Sequence, residues 1–381
     1  MSDSHSSSLA DANILQVITR SDWGGAPLVV KLLATRTEAN TAVACGTGGR
    51  LIDELQQENV PVFEQPSLQS PPDPVADTRA FADLYRLFRR ESFDLVHCHS
   101  TKAGLLGRLA ARLTGTPTIF TVHGWGFYNT GYDRAAPVIA YGERALARIT
   151  DAVVCVAEND LVEGRSRGIV EHTETTVIHN GIPSLSSPQN RLTLSEEADI
   201  EPDSLVIGAI ARLDPAKNPI EILRIGSELQ QRGHEIELVM IGDGPLAEKC
   251  ERYADEHNID VHFLGFYMRA RELLEDFDVF LMPSRFEGFP ITVLECLHAG
   301  VPVVAYDVGG IAEAVTDGET GFVIPSGNQE AFVDRVEKLV ADPKRRKAMS
   351  AHAETVAQSH YTAKRMVADY ERVYNSVIGT T

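Results

Sequence analysis

The chain has 381 residues, enough for two domains with substantial cores, and 43% hydrophobic against 23% charged residues describes a globular protein. A formal net charge of −19 excludes the basic face that nucleic-acid binding requires, and no apolar run approaches the ~20 residues that span a bilayer. So acidic a balance predicts a high-salt cytosol, where dense carboxylates keep the surface solvated; maximal activity in dilute buffer would argue against it. The charge is unevenly shared. Residues 1–182 carry 16 Lys+Arg against 21 Asp+Glu and the remainder 19 against 33, so the first half is the better neighbour for an anionic lipid surface.

Residues 1–12 are polar and acidic, without the regions of a secretory signal, and read as a disordered tail on a cytoplasmic protein. Asn13–Ile18 reads as a first buried strand. A loop with Gly24-Gly25 follows, then a helix from about Pro27; glycines there let backbone amides approach a ligand closely. Cys45–Arg50 is glycine-rich but lacks the third glycine of G-x-G-x-x-G, which disfavours a dinucleotide. Further strands are expected at Thr41–Cys45, Val60–Phe63 and in DLVHC. His97 and His99 alternate onto one strand face without further ligands nearby, so packing is preferred to metal. The helix Lys102–Leu113 carries Lys102, Arg108 and Arg112 and no acid, with Leu105, Leu106, Leu109 and Leu113 as its apolar side. It reads either as a solvated face over a core stripe or as a basic rim for a phosphorylated lipid or a membrane. The strand Thr118–Val122 ends at His123, at a carboxyl end where ligands of doubly wound sheets sit. Trp125, Phe127 and Tyr128 follow and either shape an acceptor pocket or cover the sheet edge. A helix over Pro137–Arg148, a strand and polar loop in DAVVCVAEND, and TTVIHNGI close the first half, residues 13–182.

Residues 183–203 are polar and read as linker and early second domain. A second alternation fills 204–358, with a last helix within 359–381. The strand Leu205–Ala211 delivers Arg212, with Lys217 five residues on; two cations at a strand end suit a diphosphate and the charge growing on a leaving group. Asp276-Phe277-Asp278 spells D-x-D but straddles a helix end and an apolar strand, so a metal role is rejected. DVFLM, the turn PSRFEGFP and the helix ITVLECLHAG then make strand, turn and helix. The helix start at Phe289, Pro290, Ile291 and Thr292 suits a phosphate, and Glu287 and Glu295 can accept hydrogen bonds from hydroxyls. Amides for phosphate and carboxylates for hydroxyls together suit a nucleotide sugar. The five cysteines lie in or near apolar runs and fit reduced, buried thiols.

The E-x7-E spacing within PSRFEGFPITVLEC…AG-PVVA…VGG, with R-x4-K upstream and the SKAG-LGR-AA…TVHG-like block around Lys102–Gly124, resembles glycosyltransferase family 4, especially members that extend lipid-linked surface glycans. The resemblance runs from about Ile14 to the C-terminal helix. It implies the α/β GT-B fold: two Rossmann-like doubly wound domains facing a central cleft, the final helix returning to the first. It implies a retaining hexosyltransferase using a nucleotide-diphosphate sugar, commonly UDP-linked, and a polyprenyl- or dolichyl-linked acceptor, with peripheral membrane contact and no obligate metal. Arg212 and Lys217 would clamp the diphosphate, Glu287 bind sugar hydroxyls, Glu295 the ribose, and His123 the donor sugar. Gly25 would lie near the donor phosphates, and Gly265-Phe266 under the base. If the acidic bias marks a salt-loving archaeon, a surface-layer protein N-glycan becomes a product by analogy. A nucleotide-sugar epimerase and a non-catalytic sugar-nucleotide-binding protein are the alternatives.

Overall fold

The computed structural model describes residues 9–22, 24–69, 72–128, 135–184 and 191–379. The chain divides into two compact units, Met1–Gly181 with Ala363–Thr381, and Ile182–Thr362. In the first unit, β1 (Asn13–Ile18), β2 (Asn40–Cys45), β3 (Val62–Glu64), β4 (Leu95–His99), β5 (Thr118–Val122), β6 (Ala152–Cys155) and β7 (Glu174–Val177) form one parallel sheet, ordered β3-β2-β1-β4-β5-β6-β7. The helices between them are α1 (Gly25–Arg36), α2 (Arg50–Gln57), α3 (Pro74–Glu91), α4 (Thr101–Thr114), α5 (Ala136–Ala147) and α6 (Glu158–Ser166). β4 and β5 are buried at every residue, which is why these strands read as continuous runs rather than alternating ones.

The second unit contains β8 (Val206–Ile210), β9 (Glu237–Ile241), β10 (His262–Gly265), β11 (Val279–Met282), β12 (Val303–Tyr306) and β13 (Gly321–Ile324), parallel in the order β10-β9-β8-β11-β12-β13. Its helices are α7 (Leu194–Glu197), α8 (Pro219–Gln231), α9 (Ala247–His257), α10 (Ile291–His298), α11 (Ile311–Ala314), α12 (Gln329–Ala341) and α13 (Pro343–His360). The last helix, α14 (Ala363–Ile378), belongs to the first unit. Two Asp-Pro pairs start helices by one device. Asp73 accepts the Val75 and Ala76 amides ahead of α3, and Asp342 those of Lys344 and Arg345 ahead of α13. Proline occupies the first helical position, where no N–H is needed.

Each sheet reverses its order beside its first strand. β1 lies between β2 and β4, and β8 between β9 and β11. Loops leaving such a pair diverge and open a crevice at the carboxyl ends.

Two sequence boundaries need correction. The tail expected over residues 1–12 stops at residue 8 at the latest, since Leu9–Asp11 form a 3-10 turn, Leu9 and Ala12 are buried, and the Asn40 amide donates to the Ala12 carbonyl; residues 1–8 lie outside the described residues. Within 183–203, read as linker and early second domain, Arg191 pairs with Asp276 at 2.6 Å and buried Leu194 donates its N–H to the same carboxylate. The return to the first unit begins at Ala363 rather than 359, because α13 runs on to His360. The polar loop after β6 is the helix α6, whose buried side chains Asp160 and Leu161 leave little apolar period to read.

Candidate active site

Loops from four strands meet at the carboxyl end of the second sheet. Arg212 and Lys217 follow β8, and Glu287 follows β11, its sheet neighbour across the reversal point. The Asp214 carboxylate accepts the Ala216 and Lys217 amides at 3.0 and 3.2 Å, which bends the chain back. The Arg285 amide donates to the Ala216 carbonyl at 2.8 Å and the Asn218 side chain to the Pro283 carbonyl at 3.2 Å, fastening the β8 and β11 loops together. Lys217 Nζ then donates to both Glu287 oxygens at 2.7 Å. The β12 loop closes in from the other side, where the Gly310 amide donates to the Gly288 carbonyl at 2.7 Å. Gly309 (φ 57°) lies so close to the Glu287 carbonyl that a Cβ would overlap it, so a side chain is excluded here on two counts. The β9 loop is tied in by the Leu213 amide, which donates to the Asp243 carbonyl at 3.0 Å.

The expected group therefore assembles in part. Glu287 is 6% exposed, the Lys217 side chain 29% and the Arg212 side chain 53%. An entering anion meets the two cations before the carboxylate. Among the described residues Arg212 has the Asp214 carboxylate as its one ion partner, at 3.7 Å, so its guanidinium is available. At the start of α10 the first intrahelical bond runs from Val293 to the Pro290 carbonyl. The Ile291 and Thr292 amides precede it, and neither meets an acceptor among the described residues. The other two residues expected there contribute differently. Pro290 has no N–H, and the Phe289 ring is buried against Tyr361 at 5.6 Å.

Glu295 sits further along α10, partly exposed, and accepts no hydrogen bond from a described residue. Loss of water pushes its carboxyl up to about 7, against the opposing pull of Arg271. At the end of β10, Gly265 takes a left-handed conformation (φ 65°) and the Phe266 ring stands 68% exposed, free to stack on a planar ligand. Asp276 and Asp278 lie at the opposite end of β11, bonded to Arg191 and Leu194, and to Arg346 and Val206.

In the first unit, Gly25 opens α1 beyond the carboxyl end of β1, and His123 follows β5. His123 is partly buried; desolvation pulls its pKa down to about 4, and its Nε2 lies 2.9 Å from His99 Nδ1. The aromatic residues after it are mostly structural. Trp125 and Phe127 are core residues rather than acceptor contacts, stacked at 5.6 Å, with the Trp125 indole donating to the Asp160 carbonyl at 2.7 Å. Tyr128 alone keeps an exposed part.

α4 is turned the opposite way from its sequence reading. Its buried face is small: Ala103, Gly104, Gly107, Ala110 and Ala111. A Cβ on Gly104 would stand 2.6 Å from the Phe120 ring and one on Gly107 2.5 Å from Cys98 Sγ, so these glycines set how closely the helix approaches the sheet. Of the four leucines only Leu106 is buried; Leu105, Leu109 and Leu113 are 42%, 38% and 66% exposed. Nor do the cations form a rim. Arg108 is 1% exposed, paired with buried Glu143 of α5 at 2.6 Å and laid over the Phe120 ring at 4.0 Å. Lys102 pairs with Asp77 of α3. Arg112 alone is exposed without an ion partner among the described residues. Arg108→Ala strands a buried carboxylate and should cost about 3–5 kcal/mol, whereas Arg112→Ala should leave the melting temperature within error. Denaturant titration of both variants checks this, and equal stabilities would disprove the assignment.

The architecture is two doubly wound parallel α/β units, one with cations and carboxylates gathered at its reversal point. The family described as Glycosyltransferase Family 4 matches residues 23–184, and Glycosyl transferases group 1 matches residues 190–356. The chain is 32% identical over 293 residues to EpsF of Bacillus subtilis (strain 168), named as a glycosyltransferase, covering 74% of this chain and 75% of that one. It is 28% identical over 307 residues to the UDP-Gal:alpha-D-GlcNAc-diphosphoundecaprenol alpha-1,3-galactosyltransferase of Escherichia coli, covering 78% and 79%. Among solved structures, Anabaena Alr3699/HepE in complex with UDP and glucose superposes with a TM-score of 0.83 at 19% identity, covering 96% of this chain and 100% of that one. The chain belongs to glycosyltransferase family 4, with the GT-B fold, and is a glycosyltransferase.

Proposed function

We propose that the chain transfers a hexose, with retention at the anomeric carbon, from a UDP-linked donor to a lipid-linked glycan. The carrying observation is the Lys217–Glu287 pair beside open Arg212 and the free Ile291 and Thr292 amides. A diphosphate brings two negative charges that Arg212, Lys217 and those amides can hold. It draws Lys217 partly away from Glu287, which frees the carboxylate for sugar hydroxyls. In the transition state the departing diphosphate gains charge, and the same donors stabilise it more than they stabilise the ground state. The relative from Escherichia coli is named for a UDP-sugar donor and a diphosphoundecaprenol acceptor, and the Anabaena structure holds UDP and glucose; both support this donor class.

For the acceptor side, the exposed leucines of α4 matter. α5, which packs on α4, exposes Val138 and Tyr141, and Arg112 on α4 and Arg144 and Arg148 at the end of α5 are exposed without an ion partner among the described residues. In a chain of net charge −19 this apolar, cationic surface suits an anionic bilayer that presents a lipid-linked acceptor. Among the described residues no helix is long and apolar enough to cross a membrane.

The function is tested with a panel of nucleotide sugars, incubated with host membranes, followed by linkage and anomer analysis of the product. Transfer from a UDP-hexose into a lipid extract, with an α-linked product from an α-linked donor, is expected. An inverted anomer would exclude retention, and an isomerised donor without transfer would exclude a transferase. For the surface, Leu105→Gln/Leu109→Gln/Leu113→Gln should abolish co-sedimentation with phosphatidylglycerol vesicles and spare turnover on a water-soluble acceptor. Unchanged sedimentation would remove the patch from the proposal.

A further inference from the structure

Under α14 the first sheet carries a run of polar side chains, all fully buried: Gln16 on β1, His97 and His99 on β4, Thr121 on β5, and Tyr370 and Tyr374 on α14. Strand register sets Gln16 beside His97 and Thr121 beside His99. An unpaired polar group at such depth costs about 1–3 kcal/mol, and here the groups satisfy one another. Gln16 Nε2 donates to the Tyr374 hydroxyl at 3.1 Å. Gln16 Oε1 lies 2.8 Å from His99 Nε2, and His99 Nδ1 lies 2.9 Å from His123 Nε2. On the other branch, His97 Nδ1 lies 2.8 Å from the Tyr374 hydroxyl, and His97 Nε2 lies 2.7 Å from Thr121 Oγ1.

The protons can be followed through this network. Desolvation holds all three imidazoles neutral near pH 7, so each carries one N–H and one lone pair. The Gln16 amide gives its N–H to Tyr374, which leaves its carbonyl oxygen for His99. That oxygen can only accept, so His99 is protonated on Nε2 and bare on Nδ1. Bare Nδ1 must accept from His123 Nε2–H. His123 is left with an unprotonated Nδ1, which makes no bond to a described residue. Tyr374 gives its own proton to His97, whose Nε2–H passes to Thr121. Reversing the Gln16 amide would reverse every bond in the chain, so the amide acts as the selector.

We propose that Gln16, held by Tyr374, sets the tautomer of His123 through His99, so that His123 offers a bare Nδ1, a hydrogen-bond acceptor, to a substrate hydroxyl at the carboxyl end of β5. The inference rests on the proposed transfer of a sugar, whose donor and acceptor carry such hydroxyls. Gln16, His99 and Tyr374 are positioning residues. The substrate chemistry that follows is a hexose with a free hydroxyl facing His123 Nδ1. A deoxy or fluoro substituent there cannot donate, so both are rejected alike.

Long-range proton–nitrogen NMR on the full 15N-labelled chain reads each imidazole's tautomer without any need for turnover. The wild type should show His123 protonated on Nε2. Gln16→Glu, whose carboxylate accepts from both neighbours, should preserve that state. Tyr374→Phe and Gln16→Met should give a mixed or reversed tautomer at His123; if one fails to fold, the other decides. His123 protonated on Nδ1 in the wild type, or an unchanged tautomer in a folded Gln16→Met, overturns the proposal. Monodeoxy and monofluoro analogues of the donor and acceptor sugars supply the functional reading. At the hydroxyl facing His123 each should lower kcat/KM about tenfold, the worth of one hydrogen bond, and fluorine that restores turnover would mark His123 as a donor and overturn the assignment. Failure of the transferase reading looks different: the tautomers are as expected, yet no analogue is turned over.

Discussion

Lys217→Ala should lower kcat for sugar transfer by roughly 10²–10³-fold, the usual effect of removing one group that stabilises transition-state charge. It should also destabilise the fold. Glu287 is 6% exposed and loses its cation. Stranding a buried charge costs about 3–5 kcal/mol, and the lower end is expected because the Lys217 side chain is 29% exposed. Arg212→Ala separates the two effects. Its side chain is half in water and 3.7 Å from Asp214, its one ion partner among the described residues, so removal should change stability by no more than about 0.5 kcal/mol. Turnover should nevertheless fall as steeply as for Lys217→Ala. Single-turnover kinetics paired with calorimetry reads both quantities. Near-wild-type turnover in either variant would remove that residue from the diphosphate clamp.

The second large effect is a pH dependence at Glu295. Its carboxyl titrates near 7 in the free protein, raised by desolvation from an ordinary value of 4.5. Between those values the folded state holds a proton that the unfolded state has released. Stability therefore falls as pH rises from about 4.5 to about 7, by at most about 3 kcal/mol in all. Glu295→Gln should flatten this slope and melt higher than the wild type at pH 8. Ligand binding runs the opposite way. If a ribose hydroxyl donates to this carboxylate, as the family resemblance implies, it favours the ionised form and a UDP-sugar binds with release of the proton. Affinity should rise with pH up to about 7, by as much as tenfold per unit, then level off. A UDP-sugar is the right probe, because free UDP has a terminal phosphate that titrates near this range. Calorimetry in buffers of differing ionisation enthalpy reports the proton directly. Proton-neutral binding at pH 6 would place Glu295 away from the ribose.

Most of the strands were legible because parallel strands buried on both faces leave apolar runs; DVFLM in the sequence contains β11, buried at all four residues. The meeting of Lys217 and Glu287 was legible because both follow strands that the reversal of order makes neighbours. The helix α9 escaped, since only Cys250 and Ala254 of its eleven residues are buried. The orientation of α4 was misread for a deeper reason. Periodicity shows that a helix has two faces, and leucines ordinarily mark the inner one. Here Phe120 and Cys98 fill the space above the sheet, only glycine and alanine fit beneath the helix, and the leucines face out. Trp125 and Phe127 carry the same lesson, because a run of aromatic residues after a strand does not reveal which of them the neighbouring helix covers. The polar run beneath α14 depends on contacts between residues some 250–360 positions apart, and no local pattern announces those.

The crossing of the chain between its units has a consequence for biosynthesis. The second unit is one continuous stretch, while the first is finished only by α14. Until that helix leaves the ribosome, Gln16, His97 and Thr121 lack their tyrosine partners. The portion translated earliest must therefore wait, incompletely covered, while the portion translated after it can already have folded, and a nascent chain stalled before α14 should expose the first unit to proteases and chaperones but not the second.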